Sequence, residues 1–230
     1  MRLVSALKIL FMSPERKPRK ILAGPFKGIK MNLTLRDQSQ MYLGLYERET
    51  HPWLKRLSKN LKTAVDIGVG YGEHTLFFLI KTAAAKVYAF EPDAKCLAFF
   101  DENLKLNAIS QSDRLRLSTK FVGNSESVSQ IRLDSLAGVI GGPCLIKMDV
   151  DGAEEQILQG ATALNRLPGV RWLIETHSKE LEDACVKILS EAGLQTRIVT
   201  PNSLWRTILP ELRPIPHNRW LVAWKNSDTC

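Results

Sequence analysis

The stretch "AVDIGVGYGEHT", Ala64 to Thr75, ends an apolar run in an acid, Asp66, and then places glycines at 68, 70 and 72. Glycine has no Cβ and tolerates positive φ, so such a turn lets the backbone come close to a ligand, with Thr75 on the helical turn that follows. A second acid, Glu91, ends the next apolar run ahead of Pro92. A carboxylate there can accept both hydroxyls of a ribose. Asp149 in "LIKMDVDG" and the pair Glu175 and His177 in "LIETH" close two further apolar runs. Glu175 and His177 are two apart on a strand and share a face. Histidine is the natural neutral-pH base for a hydroxyl.

The residues after the glycines narrow the ligand. A dinucleotide fingerprint wants G-x-G-x-x-G, and here the third position is Glu73. A carboxylate at the start of that helix opposes a pyrophosphate, which seeks bare N–H groups and a positive helix end. The Lys-Ser/Thr pair of a phosphate-binding loop is missing as well. A cationic or zwitterionic ligand remains, for which Asp66 and Glu73 are assets. Together with Glu91 they suit an adenosine that carries an amino acid.

These residues need a frame, and the chain supplies a strand-helix alternation from Leu61 onward. "TAVDIG", "KVYAFEP", "RLRLSTKFV", "GPCLIKMDV" and "VRWLIETH" read as strands, and amphipathic helices follow four of them. Continuous apolar strands separated by helices imply a parallel sheet covered on both faces. "LQTRIVT" and "NRWLVAWK" come last without a long helix between them, which predicts one antiparallel strand. In a doubly wound sheet the ligand lies at the carboxyl ends of the strands, where every residue named above is placed.

Ahead of the alternation, "SPERKPRK" reads as a basic linker and "KILAGPFKGIKMNLTL" as two strands about a Gly-Pro turn. "QMYLGLYERETHPWLKRLSKNL" reads as helical, broken near Pro52. The formal charge of the 230-residue chain is +8, and residues 1–36 carry all of that excess, with nine Lys or Arg against Glu15. Residues 1–12 set Leu3, Leu7, Leu10 and Phe11 at helical spacing. This arm suits an anionic membrane surface or another polyanion. A frayed or docked terminus is the competing reading. Cysteines at 96, 144, 185 and 230 form no CxxC pair and no metal-ligand spacing, so no metal is expected. No apolar run is long enough to span a membrane, and a cytoplasmic protein, peripheral at the membrane if the arm binds lipid, is the expectation.

"VDIGVGYGEHT", "VYAFEPD", "ENLKLNA", "IRLDSL", "LIKMDVDGAEEQILQGA" and "LIETH" occur in the order found in the FkbM family of S-adenosylmethionine-dependent methyltransferases, which residues 40–225 resemble. The resemblance implies a Rossmann-like class I methyltransferase fold of seven strands in the order 3-2-1-4-5-7-6. It divides the chain into a basic extension, 1–36, with a short helix and hairpin, and a methyltransferase domain, 37–230. Val69-Gly70 stands where the family has Ala-Asn, and Asp151 where it has Glu. The implied cofactor is S-adenosylmethionine, held by Asp66, Gly68, Gly70, Gly72, Thr75, Glu91 and Pro92. The implied reaction is O-methylation of a sugar, glycolipid or small metabolite, with Asp149, His177 and Glu175 as the catalytic group. Asp149 has a competing reading as a cap for the helix starting near Ala153. Glu154 reads as a first-turn helix carboxylate, and His74 as solvent-exposed. Nucleic acid is disfavoured as a partner, because "DVDG" is not the Asn/Asp-Pro-Pro-aromatic element of amino-methyltransferases and the domain is charge-neutral. An RNA methyltransferase and a non-catalytic cofactor-binding protein are the alternatives.

Overall fold

A computed structural model describes residues 14–109, 112–200 and 219–225. In chain order the elements begin with β1 (Arg16–Lys20), β2 (Lys30–Thr34), α1 (Leu35–Leu43) and α2 (His51–Leu57). The alternation follows as β3 (Thr63–Ile67), α3 (Glu73–Lys81), β4 (Lys86–Phe90), α4 (Ala94–Leu106) and β5 (Leu115–Ser118). A small pair, β6 (Phe121–Gly123) and β7 (Gln130–Arg132), precedes β8 (Cys144–Met148), α5 (Glu154–Gln159) and β9 (Val170–Thr176). Last come α6 (Lys179–Glu191), β10 (Gln195–Val199) and β11 (Arg219–Trp224).

The seven-stranded sheet runs β10-β11-β9-β8-β3-β4-β5. Counted from β3 as strand one, that is the expected order 3-2-1-4-5-7-6. β11 is antiparallel to both its neighbours, and the other pairings are parallel. β3, β8 and β9 are buried along their whole length. Apolar layers cover both faces, which is why these strands read as unbroken apolar runs. One layer takes Leu76 and Phe78 of α3 and Leu54 and Leu57 of α2. The other takes Ile157 and Leu158 of α5 and Cys185 and Leu189 of α6. Asp93 caps α4 by accepting from the Lys95 and Cys96 amides, and Ser178 caps α6 through the Leu181 amide.

Two sequence expectations need correction and one is refined. The segment read as a basic linker is strand β1, paired antiparallel with β2. Contacts distant in sequence hold it there. Arg16 pairs with Glu102 at 2.9 Å and lies 4.0 Å above the Phe99 ring. Asn103 and Asn107 accept from the Asn32 and Lys30 amides, so the two asparagines tie the hairpin to α4. Ile21, Phe26, Ile29, Met31 and Leu33 join the same core as the sheet. Next, the break expected near Pro52 opens at Gly44, a left-handed cap with φ 73°, and closes where α2 starts at His51, with Pro52 in its first turn. Finally, "RLRLSTKFV" is two strands. It leaves the main sheet at Ser118, and Phe121–Gly123 pairs with β7 instead. The expected helix over residues 1–12 lies outside the described residues.

Candidate active site

The glycine turn follows β3, and its glycines answer different demands. A Cβ on Gly68 (φ +79°) would sit 1.9 Å from the Asp149 carbonyl oxygen, and one on Gly72 (φ +92°) 2.1 Å from Phe100 Cδ2. Close packing within the protein requires those two. Gly70 (φ +56°) faces open space, with no atom of the described residues within 4 Å of an added Cβ. Its N–H donates to Glu91 Oε2 at 2.9 Å, while the Asp93 N–H donates to Oε1 at 2.9 Å. Glu91 is thereby fixed against the turn, with Pro92 exposed beside it. Asp66, Gly68, Gly70, Gly72, Thr75, Glu91 and Pro92 all gather at the carboxyl ends of β3 and β4.

Beneath the turn lies a buried ionic cluster. Lys147 of β8 stands beside Asp66 in the strand register. Its Nζ donates to the Gly68 carbonyl at 2.8 Å, and lies 3.4 Å from Asp66 Oδ1 and 3.7 Å from Asp149 Oδ2. Thr75 Oγ1 donates to Asp66 Oδ2 at 2.5 Å. Burial raises the Asp66 carboxyl above its ordinary range, against the pull of Lys147 and Thr75. Burial also pushes Glu73 up to about 7, with Lys147 pulling it back and Asp66 and Asp149 adding to the rise. Burial opposes the charge of Lys147, but Asp66, Asp149, Glu73 and Glu47 outweigh it and hold the ammonium above its usual range. Four carboxylates therefore act on one ammonium. Lys147 carried no spacing signal, only its oddity as one cation inside "CLIKM".

His74 is buried, contrary to the solvent-exposed reading. The hairpin covers the first turn of α3, and Phe26 meets the His74 ring edge-on at 5.3 Å. Its Nε2 lies 4.0 Å from the buried Glu47. Burial holds the imidazole well below its ordinary pKa. Glu47 itself has φ 47°, an uncommon left-handed backbone for a residue with a side chain. Tyr42 and Tyr46 pack against the core.

Asp149, Glu175 and His177 come together where β8 and β9 end, with one ligand-capable atom of each within 4.8 Å of the others. The cap reading of Asp149 is not realised, since Ala153 precedes α5 and makes no side-chain cap. Glu154 is in the first turn of α5, as read, but its carboxylate is fully buried and turned into the site. Its Oε1 lies 2.7 Å from His177 Nδ1 and also accepts the His177 backbone N–H at 3.3 Å. On the other side of the ring, Nε2 is 3.7 Å from Asp149 Oδ1 and 3.5 Å from the exposed Asp151. The Glu154 bond raises the His177 pKa above its ordinary value, against burial and helped by Glu175 and Asp149. Burial works to raise Asp149, yet Lys147, a hydrogen bond with Glu175 and the His177 charge bring it below its ordinary value.

This sheet order and the site at its carboxyl edge decide the architecture. The fold is that of a class I methyltransferase. No family-level sequence description matches the chain. The chain is 28% identical over 160 residues to the hexuronic acid methyltransferase AglP of Haloferax volcanii, a match spanning 60% of this chain and 65% of that protein. The crystal structure of the FkbM methyltransferase of Methylobacillus flagellatus superposes with a TM-score of 0.56 at 18% identity, over 72% of this chain and 44% of that one. The FkbM resemblance thus holds in the fold. A methyltransferase-like protein of Streptococcus mutans in complex with SAH superposes at 0.51 and 16% identity, over 77% and 98% of the two chains. The chain spans about two thirds of the curated relative it matches and less than half of the FkbM structure.

Proposed function

We propose that the protein is an S-adenosylmethionine-dependent O-methyltransferase acting on a hydroxyl of a sugar, a glycan or a small metabolite. One observation carries the reading: beside the glycine turn Asp66 Oδ1 and Asp149 Oδ2 lie 3.4 and 3.7 Å from the single ammonium of Lys147, with the Glu73 carboxyl in the first turn of the helix that follows. Strand ends with that surplus of carboxyl groups favour a ligand carrying positive charge, and S-adenosylmethionine brings a sulfonium and an ammonium. Glu91 supports the reading, because its carboxylate stands against Gly70, the glycine of the turn with open space before it. The hexuronic acid named for AglP favours a sugar acceptor.

Methyl transfer is an in-line displacement. An acceptor oxygen attacks the methyl carbon, the C–S electron pair returns to sulfur, and the hydroxyl proton must leave as the new bond forms. Asp149, Glu175 and His177 are grouped where that proton is released. Asp66, Gly68, Gly70, Gly72, Thr75, Glu91 and Pro92 hold the donor. Membrane association is a separate proposal of the basic N-terminal segment. It draws on the exposed Lys20 and on Lys17, whose ammonium pairs at the surface with Glu15 at 2.8 Å, while Arg16 is held by Glu102. No helix among the described residues is long and apolar enough to cross a membrane.

Calorimetry with S-adenosylhomocysteine and NAD tests the cofactor. S-adenosylhomocysteine should bind and NAD should not. Glu91→Ala should weaken binding by about 1.5–3 kcal/mol, the range for a hydrogen bond to a charged group. Tighter binding of NAD would sink the assignment.

A further inference from the structure

The geometry points to a divalent-cation site formed by Asp149, Glu175 and His177, with Glu154 as the residue that positions the imidazole. The ligand set draws on two strand ends, so the Glu175-x-His177 spacing alone could not show it, and the proposal departs from the sequence expectation of no metal. Two observations carry it. The candidate ligand atoms, two carboxylate oxygens and one imidazole nitrogen, all lie within 4.8 Å of one another, so one ion with modest side-chain adjustment reaches all three. A fully buried carboxylate backs the imidazole, with Glu154 Oε1 2.7 Å from Nδ1. A proton on Nδ1 shared with Glu154 leaves the Nε2 lone pair facing Asp149 Oδ1, and a carboxylate behind a histidine is the usual outer support of a metal-binding imidazole.

Lys147 does not take the ion's place. Its Nζ faces Asp149 Oδ2, while Oδ1 is the oxygen turned toward His177. Asp149 can thus bridge the buried ammonium and an ion on its outer side. About a third of the Asp149 side chain is exposed (32%), so the ion's remaining positions open toward the acceptor. Two carboxylates and one imidazole suit Mn²⁺ or Mg²⁺ with water in the open positions. The ion's role rests on the O-methyltransfer reading. It would hold the acceptor hydroxyl and lower its pKa, so that the proton leaves to water or to the exposed Asp151 before oxygen attacks the methyl carbon.

The test is direct binding, independent of turnover. Full-length protein is stripped with a chelator and titrated with Mn²⁺, read by electron paramagnetic resonance and calorimetry, with parallel titrations of Mg²⁺ and Zn²⁺. One saturable ion per chain is expected. His177→Ala and Glu175→Gln should each weaken it at least tenfold. Glu154→Gln should weaken it about 10–100-fold, the range for losing outer-shell support, with an unchanged circular dichroism spectrum. His177 is partly exposed and its alanine variant should fold, which keeps the test decisive if Glu175→Gln does not. S-adenosylhomocysteine affinity is measured on every sample. Folded wild-type protein that binds S-adenosylhomocysteine and none of the three ions overturns the cation site and leaves the methyltransferase reading standing. Ion binding undiminished in folded His177→Ala overturns it too, because the ion then sits elsewhere.

Discussion

Replacing Glu73 by glutamine should make the protein more stable and a poorer binder of the methyl donor, and both effects should depend on pH. Burial raises the Glu73 carboxyl from its ordinary 4.5 to about 7. The folded chain therefore holds a proton that the unfolded chain releases between those values. Stability is lost as pH rises through that window, and the penalty is complete above pH 7. A shift of that size corresponds to about 3 kcal/mol at 1.36 kcal/mol per unit. The Glu73 side chain keeps some solvent contact, which makes this an upper bound. At pH 8 Glu73→Gln should gain up to about 3 kcal/mol in urea unfolding, and at pH 4.5 almost nothing. Calorimetry at pH 8 should show weaker S-adenosylmethionine binding, by about tenfold if the lost attraction is near 1.4 kcal/mol. Wild-type affinity should fall between pH 8 and pH 6 as Glu73 takes up its proton, and the variant should flatten that slope. A variant whose stability relative to wild type is the same at pH 4.5 and pH 8 would refute the reasoning, because a buried ionised carboxylate could not then be the source of the penalty.

The two glycines at the start of the turn should respond differently to alanine. Gly68→Ala drives a Cβ into the Asp149 carbonyl and should cost several kcal/mol, whereas Gly70→Ala meets no atom and should cost only the positive-φ penalty of about 1–2 kcal/mol, both read from denaturant midpoints. His177→Ala should lower kcat about 10²–10⁴-fold in single-turnover transfer while S-adenosylhomocysteine affinity stays nearly unchanged, and full activity would remove His177 from the reaction, whether as base or as ion ligand. Removing residues 1–13 and reversing Lys17 and Lys20 should reduce sedimentation with anionic vesicles. Equal partitioning of both proteins would end the membrane proposal.

The sheet was legible because its strands are buried on both faces and so appear as apolar runs that need no partner to be recognised. The acids at the ends of those runs, Asp66, Glu91, Asp149 and Glu175, were legible for the same reason, as breaks in an apolar pattern. β1 was not. "RKPRK" contains no apolar residue, and its extended form depends on Glu102, Phe99 and the asparagines of α4, some 70 to 90 residues away. Lys147 and Glu154 were passed over because a lone charge inside a strand and an acid at a helix start each have an ordinary local meaning. Their roles exist only once β3, β8 and β9 lie side by side. His74 went wrong for the complementary reason. The first turn of α3 would be solvated but for a hairpin contributed from fifty residues upstream.

The approach of Gly68 to the Asp149 carbonyl has a further consequence. The Asp149 N–H donates to the Ile67 carbonyl at 3.0 Å, so the main chain of the glycine turn and the main chain that carries Asp149 touch directly. If the turn holds the donor and the end of β8 faces the acceptor, as proposed, this contact fixes the separation of the two backbone platforms. Side chains around the acceptor would then be free to change which molecule enters while the platforms themselves stay in place.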